Sequence, residues 1–298
     1  KLSELSIFSV SLAHSTGLTH MELIQKSKDL NSLAKQMKSE GKTIGFVPTM
    51  GALHSGHLSL IQRARKECDI VVCSIFVNPT QFNEQSDLEK YPRTLEADSK
   101  LIESICDYLF VPQSVEEIYG KEITLKEFDF DGLENELEGE FRPGHFQGMA
   151  NVVSILLNIV TADKAYFGLK DYQQFKIVER LTKLIQLDTK IVGCPIIREA
   201  NGLARSSRNE LLSEAAREAA AVIFYSLNYI KEFHPFLSIP ELQEKAKGMI
   251  EGIMDVEYLE IRDAETLKEI TSWTENNGVF ISFAGTIDGV RLIDNIRI

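Results

Sequence analysis

Residues 43–57 read TIGFVPTMGALHSGH, and this stretch decides the fold. Thr43 to Val47 is a short apolar run closed by Pro48, which suits a buried strand. A loop rich in Gly and Thr follows, and a helix is predicted from Gly56 or His57 to about Glu67. Asp69 to Val77 is then a β-branched apolar run ended by Asn78-Pro79. Strand, loop, helix and strand in this order compose a parallel βαβ unit.

Working outward, the pattern repeats. Upstream, Leu23 to Lys38 carries a helical stripe of Leu23, Ile24, Leu30, Leu33, Ala34 and Met37, with Gly41 as its stop. Downstream, helices are predicted at Leu95 to Ile105, Asn151 to Val160 and Tyr172 to Leu187, and strands at Tyr108 to Val111, Ala165 to Phe167 and Lys190 to Val192. The fold class is therefore α/β, a Rossmann-like doubly wound parallel sheet over residues 21–197. Beyond Arg198 the reading changes to helices at Glu210 to Ile230 and Pro240 to Gly252. Strands follow at Val256 to Ile261, Val279 to Ala284 and Val290 to Ile296, with Asp288-Gly289 as a hairpin signal. Residues 198–298 thus read as a smaller α+β domain covering the active site. Residues 1–20 are Ser-rich and read as an N-terminal extension or leader, with a packed strand at Leu5 to Leu12 as the alternative.

Composition narrows the function. The chain has 298 residues and a formal net charge of −12, and no basic run interrupts it, so nucleic acid and anionic membranes are poor partners. No stretch approaches the roughly 18 consecutive apolar residues of a spanning helix. Cys68, Cys73, Cys106 and Cys194 form no CxxC pair and read as reduced, mostly buried thiols in a reducing cytoplasm. A zinc site from Cys68, Cys73 and a histidine lacks the tight spacing such sites use.

The loops suit anions. In Met50-Gly51-Ala52-Leu53-His54-Ser55-Gly56-His57, at a strand-to-helix junction, the glycines permit close backbone approach and the helix start offers N–H groups and a favourable dipole. His54 and His57 add donors that strengthen as charge moves onto a departing pyrophosphate. A surface loop with two incidental histidines is the plain alternative. In Gly168-Leu169-Lys170-Asp171-Tyr172-Gln173-Gln174, Lys170 can meet a phosphate, Asp171 ribose hydroxyls, and Gln174 a second substrate; an Asp N-cap after a glycine turn is the alternative. Asn201-Gly202-Leu203-Ala204-Arg205-Ser206-Ser207-Arg208-Asn209 suits a flap that closes on a triphosphate, or an ordinary basic linker. Gln81, in VNPTQF, and Arg142 and His145, in FRPGHF, are further candidates; a glutamine that satisfies loop backbone and a Pro-Gly turn with a surface Arg are the alternatives.

Taken together, PTMGALHSGH, VNPTQF, YPRT, RPGHF, FGLKDYQQ and GLARSSRN, in this order, resemble the pantothenate synthetases, the pantoate:β-alanine ligases of the HxGH nucleotidyltransferase group. The resemblance runs from Met21 to Ile298. It implies an ATP-dependent enzyme that makes pantoyl adenylate and pyrophosphate from ATP and (R)-pantoate. β-Alanine then attacks the activated carbonyl to give pantothenate and AMP. Residue by residue it implies ATP contacts at Met50 through His57, with His57 as proton donor and His54 on phosphate. Gly168, Leu169, Lys170 and Asp171 would meet phosphate and ribose, Ile197 adenine through its backbone, and Arg205, Ser206, Ser207 and Arg208 the triphosphate as a flap. Gln81 and Gln174 would hold pantoate, with Arg142 beside them, and Gln81 would also lie near β-alanine. Mg²⁺ with ATP, rather than on a protein motif, and a homodimer are further implications.

The sequence departs from the family pattern at Arg205, where Met or Leu is usual, at Asn201 in place of Asp, and at Leu169, where Glu often precedes the lysine. Another HxGH adenylyltransferase, or a nucleotide-binding homologue without catalysis, are the competing readings. The paired glutamines, suited to a hydroxyl-bearing acid, speak against the first.

Overall fold

The computed structural model describes residues 21–83, 85–273 and 278–298. The leader assigned to residues 1–20, and its alternative strand, lie outside the described residues. In chain order the first part comprises β1 (Glu22–Ile24), α1 (Ser27–Ser39), β2 (Ile44–Thr49), α2 (Ser55–Glu67), β3 (Ile70–Ile75), α3 (Gln85–Lys90), α4 (Leu95–Ile102), β4 (Tyr108–Phe110), α5 (Val115–Tyr119), α6 (Glu138–Phe141), α7 (His145–Val160), β5 (Lys164–Gly168), α8 (Tyr172–Leu184) and β6 (Lys190–Cys194). The remainder is α9 (Glu214–Ala219), α10 (Val222–Phe233), α11 (Ile239–Ile250), β7 (Asp255–Asp263), β8 (Val279–Ile287) and β9 (Val290–Arg297).

Strands β1 to β6 form one parallel sheet in the order β1-β4-β3-β2-β5-β6. The chain winds outward from β2 through β3 to β4, then returns to the other side of β2 for β5 and β6. The order therefore reverses between β2 and β5, and the carboxyl ends of those two strands flank the crevice where such sheets place ligands. Period-two alternation divides β2 between two cores: Ile44 and Phe46 join the apolar cluster under α1, α7 and α8, while Val47 joins the one under α2. Strands β7, β8 and β9 form a separate antiparallel sheet packed against α10 and α11. Asp288 and Gly289, both at positive φ, make its tight β8–β9 turn.

The two sheets meet across a third apolar contact, where Tyr172 of α8 stacks on Phe280 of β8 at 4.5 Å between ring centroids. The four cysteines are all buried and unpaired. Burial raises each thiol above its ordinary pKa, that of Cys106 to about 12.

Three expectations are corrected. Residues 22–24 continue the 3.6-residue stripe of α1, yet they form edge strand β1, because β4 has an open edge: Glu22 N donates to Asp107 O and Val111 N to Ile24 O. Helix α7 begins at His145, ahead of the predicted Asn151, after Gly144 turns the chain at φ 79°. The single helix expected over Glu210 to Ile230 is a 3₁₀ turn and two helices. The Ser213 hydroxyl accepts from Ala216 N and starts a new helix there.

Gly148 in α7 lies against the turn after β3, where an added Cβ would stand 2.0 Å from Thr80 O. Gly248 in α11 is exposed and such an atom would meet nothing within 4 Å. Gly148→Ala should destabilise by about 3 kcal/mol or more through overpacking, whereas Gly248→Ala should stabilise by about 0.5–1 kcal/mol through helix propensity. Urea unfolding of both variants checks the pair, and equal midpoints would contradict the packing described.

Candidate active site

The first loop leaves β2 at Thr49 and enters α2 at Ser55. Gly51 and Ala52 take φ of 84° and 51°, a turn that a residue with a Cβ adopts only when its surroundings enforce it. The enforcing group is Asp98, 3% exposed on α4, whose carboxylate accepts from Ala52 N at 2.9 Å and Leu53 N at 2.8 Å. The Thr94 hydroxyl donates to the same carboxylate, and the Thr49 hydroxyl accepts from Gly51 N.

At the helix start, two imidazoles replace the usual Ser and Glu of a capping box. His54 Nδ1 accepts from Gly56 N at 3.1 Å, and His57 Nδ1 accepts from His54 N at 3.3 Å. The loop's amides at 51–54 and 56 are therefore satisfied within the protein. Of the N–H groups that the sequence offered to an anion here, those of Gly51, Ala52, Leu53, His54 and Gly56 meet Thr49, Asp98 and the two imidazoles.

That capping fixes chemistry as well as conformation. A ring nitrogen that accepts an N–H carries no proton, so each neutral imidazole holds its proton on Nε2 and can donate from there. The two rings lie 4.2 Å apart. Burial, then the neighbouring His57, Arg205 and Lys170, lower His54 to about 3; burial and Lys170 lower His57 to about 4. At neutral pH both are hydrogen-bond donors without charge.

The second loop follows β5, where Leu169–Asp171 make a 3₁₀ turn into α8. The third is a small hairpin: Arg205 N donates to Ile197 O, and Arg198 pairs with Ala204. Glu199 is its hub, accepting from Arg205 at 2.9 Å, from Arg217 at 2.8 and 2.9 Å, and from the buried Asn209 amide at 2.8 Å. These donors, against its burial, hold the Glu199 carboxyl down at about 2. Arg205, the departure from the family pattern, thus spends its charge on a carboxylate. Asn201 bonds within the loop and to Arg217 O, in an Asx turn that closes on Leu203 N.

Gln81, buried to 7% exposure, donates to Met50 Sδ at 3.0 Å and accepts from Asn78. His145 Nδ1 donates to the carbonyl of the same Gln81 at 2.8 Å, and its Nε2 faces Arg142 at 3.4 Å. Burial and Arg142 lower His145 to about 4, so it too is neutral.

Between the two sheets runs a cleft of about 780 Å³. Lys170, Asp171, Gln174, Ser206, Ser207 and Arg208 line it, with Arg142 and His145 at one side. Met50, His54, His57 and Gln81 are not among the residues of its wall, and the Lys170 charge is felt by both imidazoles. Ile197 lies at the base of the flap hairpin.

Several residues of the site carried no signal that singled them out. Asp98 stands far along the chain from the loop it shapes. Tyr91 sits inside the quoted YPRT stretch without an assigned role, and it lines the cleft together with Ser207. Glu138, Tyr258 and Arg291 also line the cleft, joined by Tyr258 Oη at 2.8 Å and Arg291 at 2.7 and 2.8 Å to the Glu138 carboxylate.

Comparison with known proteins places this geometry. A family model described as pantoate-beta-alanine ligase matches residues 22–297. A pantothenate synthetase of Phocaeicola vulgatus is 48% identical over 286 residues, covering 93% of this chain and 99% of the relative. The crystal structure of a pantothenate synthetase from Thermus thermophilus superposes with a TM-score of 0.83 at 38% identity, over 93% of this chain and 99% of that one. That of a pantoate-beta-alanine ligase from Francisella tularensis, complexed with beta-gamma ATP and beta-alanine, gives 0.74 at 37% identity, over 93% and 97%.

The lowered histidines have a consequence for stability. An unfolded chain protonates its imidazoles near 6.5, while folded His57 stays neutral until about 4. Between those values the unfolded state binds more protons, so stability falls as pH falls from 6.5 to 4. His57→Gln keeps the capping geometry, since a Gln amide at this position also reaches the N-cap N–H. In urea unfolding the variant should lose less stability than wild type over that window, and parallel losses would show that His57 is not held neutral.

Proposed function

The chain belongs to the pantoate–β-alanine ligase family, and from that premise we propose how its own residues carry the reaction. The enzyme joins pantoate to β-alanine at the expense of ATP. The observation that carries the mechanism is the pair of capped, neutral imidazoles on the loop after β2, at the point where the sheet order reverses. Residues 21–197 form the domain that binds ATP and pantoate, and residues 198–298 the smaller domain that covers the site.

A carboxylate is a poor electrophile, so the first step makes it a mixed anhydride. A pantoate carboxylate oxygen attacks the α-phosphorus of ATP, the bond from that phosphorus to the bridging oxygen breaks, and pyrophosphate leaves with the electron pair. ATP enters with Mg²⁺ as the counter-ion of its phosphates. Lys170, Ser206, Ser207 and Arg208 supply charge and donors to the triphosphate from the cleft. Nε2–H of His54 and His57 donates to phosphoryl oxygens; as neutral imidazoles they stabilise growing charge by hydrogen bonding and keep their protons. Met50 to His57 together with Gly168, Leu169 and Asp171 enclose the nucleotide, and the Ile197 backbone and Arg205 border the adenine.

In the second step the amine of β-alanine attacks the acyl carbon, AMP leaves, and the nitrogen loses a proton as the amide forms. Gln81 and Gln174 hold the hydroxyl-bearing acid, Gln81 lies beside the incoming amine, and Arg142 faces the same acid. The arrangement of His54, Ser55, Gly56 and His57 as a double cap supports placing the chain with the HxGH nucleotidyltransferases. A homodimer in the cytoplasm completes the reading, supported by the family resemblance of the motifs.

Pyrophosphate release from ATP and Mg²⁺ tests this directly. With (R)-pantoate alone there should be a single burst, becoming steady turnover to AMP and pantothenate when β-alanine is added. An AMP-containing final product would instead indicate an adenylyltransferase, and ATP binding without pantoate-dependent release a non-catalytic homologue. Lys170→Ala and His57→Ala should each cost about a hundredfold or more in burst rate, on the order of 3 kcal/mol, with the fold intact. Arg205→Met should stay within about tenfold of wild type, since the arginine is bound to Glu199; a clear gain would show that its charge obstructs ATP.

A further inference from the structure

Asn295 lies on β9, opposite Ser282 of β8, and is 5% exposed. Its amide nitrogen donates to Leu169 O at 3.0 Å and to Lys170 O at 2.7 Å. Two carbonyls as neighbours admit only the NH₂ end, so the amide has one orientation. Beside it, Asp294 receives both guanidinium nitrogens of Arg198, at 2.6 and 2.9 Å, and the Asn295 N–H at 2.7 Å. Arg198 in turn donates to Gly202 O at 3.0 Å, inside the flap hairpin.

One dipeptide of the C-terminal sheet therefore reaches both anion-suited loops: the Lys170 turn directly and the flap through Arg198. We propose that Asn295 is a positioning residue for adenylate formation, setting the turn that carries Lys170 against the flap; this rests on the functional reading given above. The backbone carbonyls of Leu169 and Lys170 precede α8 in a short 3₁₀ turn. Their anchoring on β9 fixes where the Lys170 side chain departs. A displacement of about 1 Å in such a group costs on the order of a hundredfold in rate.

The two half-reactions separate positioning from general destabilisation. Lys170 faces charge that builds on pyrophosphate in the first half and is gone in the second. Asn295→Asp keeps the shape of the side chain but turns oxygens toward the two carbonyls; Asn295→Ala leaves the carbonyls without this donor and without repulsion. For each purified variant we would measure single-turnover pyrophosphate release with ATP, Mg²⁺ and (R)-pantoate. Separately, β-alanine would be added to synthetic pantoyl adenylate and pantothenate measured. Expected is a fall of about tenfold to a hundredfold in the first rate, larger for Asp, with the second rate unchanged. Equal falls in both, or none in either, would overturn the inference while leaving the ligase reading intact. Should the Asp variant not fold, the Ala variant decides. A wild-type chain without pantoate-dependent release would overturn the functional reading and this inference with it.

Discussion

A single buried carboxylate sets the terms for the rest of the site. Asp98 takes the amides of Ala52 and Leu53, and in doing so holds Gly51 and Ala52 in left-handed backbone. Beyond those amides the loop hands the chain to α2 through His54 and His57, whose rings form the capping box at the helix start. The same hydrogen bonds settle the imidazole tautomers, and burial settles their charge. Loop conformation, helix initiation and the protonation state of the two imidazoles are thus one coupled arrangement. A change in any member propagates to the others through geometry rather than through distance.

How much of this was legible in the sequence depended on how local its cause was. The parallel sheet was legible from short apolar runs between helical stripes, because burial on both faces leaves little else for such runs to do. The strand-to-helix junctions that carry the three loops were legible too, since Gly, His, Lys and Ser there break the apolar runs on either side. Edge strand β1 was not, because Leu23 and Ile24 satisfy helical period equally well and only the open edge of β4 decides between the two. Asp98 and Asn295 were not legible for a stronger reason. Each acts on a loop 40 or more positions away in the chain, and nothing in local periodicity says which backbone amide or carbonyl a distant side chain will meet.

The reading of the loop amides shows the same limit from the other side. Helix N-termini do leave unsatisfied donors, and the inference to an anion cradle follows soundly from that. Here tertiary structure supplies acceptors to several of those donors, which the local sequence does not reveal. In a chain of net charge −12, Lys170, Arg208 and Arg142 all line one cleft, and Arg205 and Arg198 of the flap hairpin and Arg291 of β9 are bound to carboxylates.

The four cysteines give the protein an experimental convenience. All are buried, and burial disfavours the thiolate in each, so alkylating reagents and dissolved oxygen find little to react with at neutral pH. A fifth cysteine introduced at an exposed position of the flap hairpin would then be the one rapidly reacting thiol. A fluorophore or spin label could be carried there on an otherwise native chain, without first stripping the natural cysteines from the core.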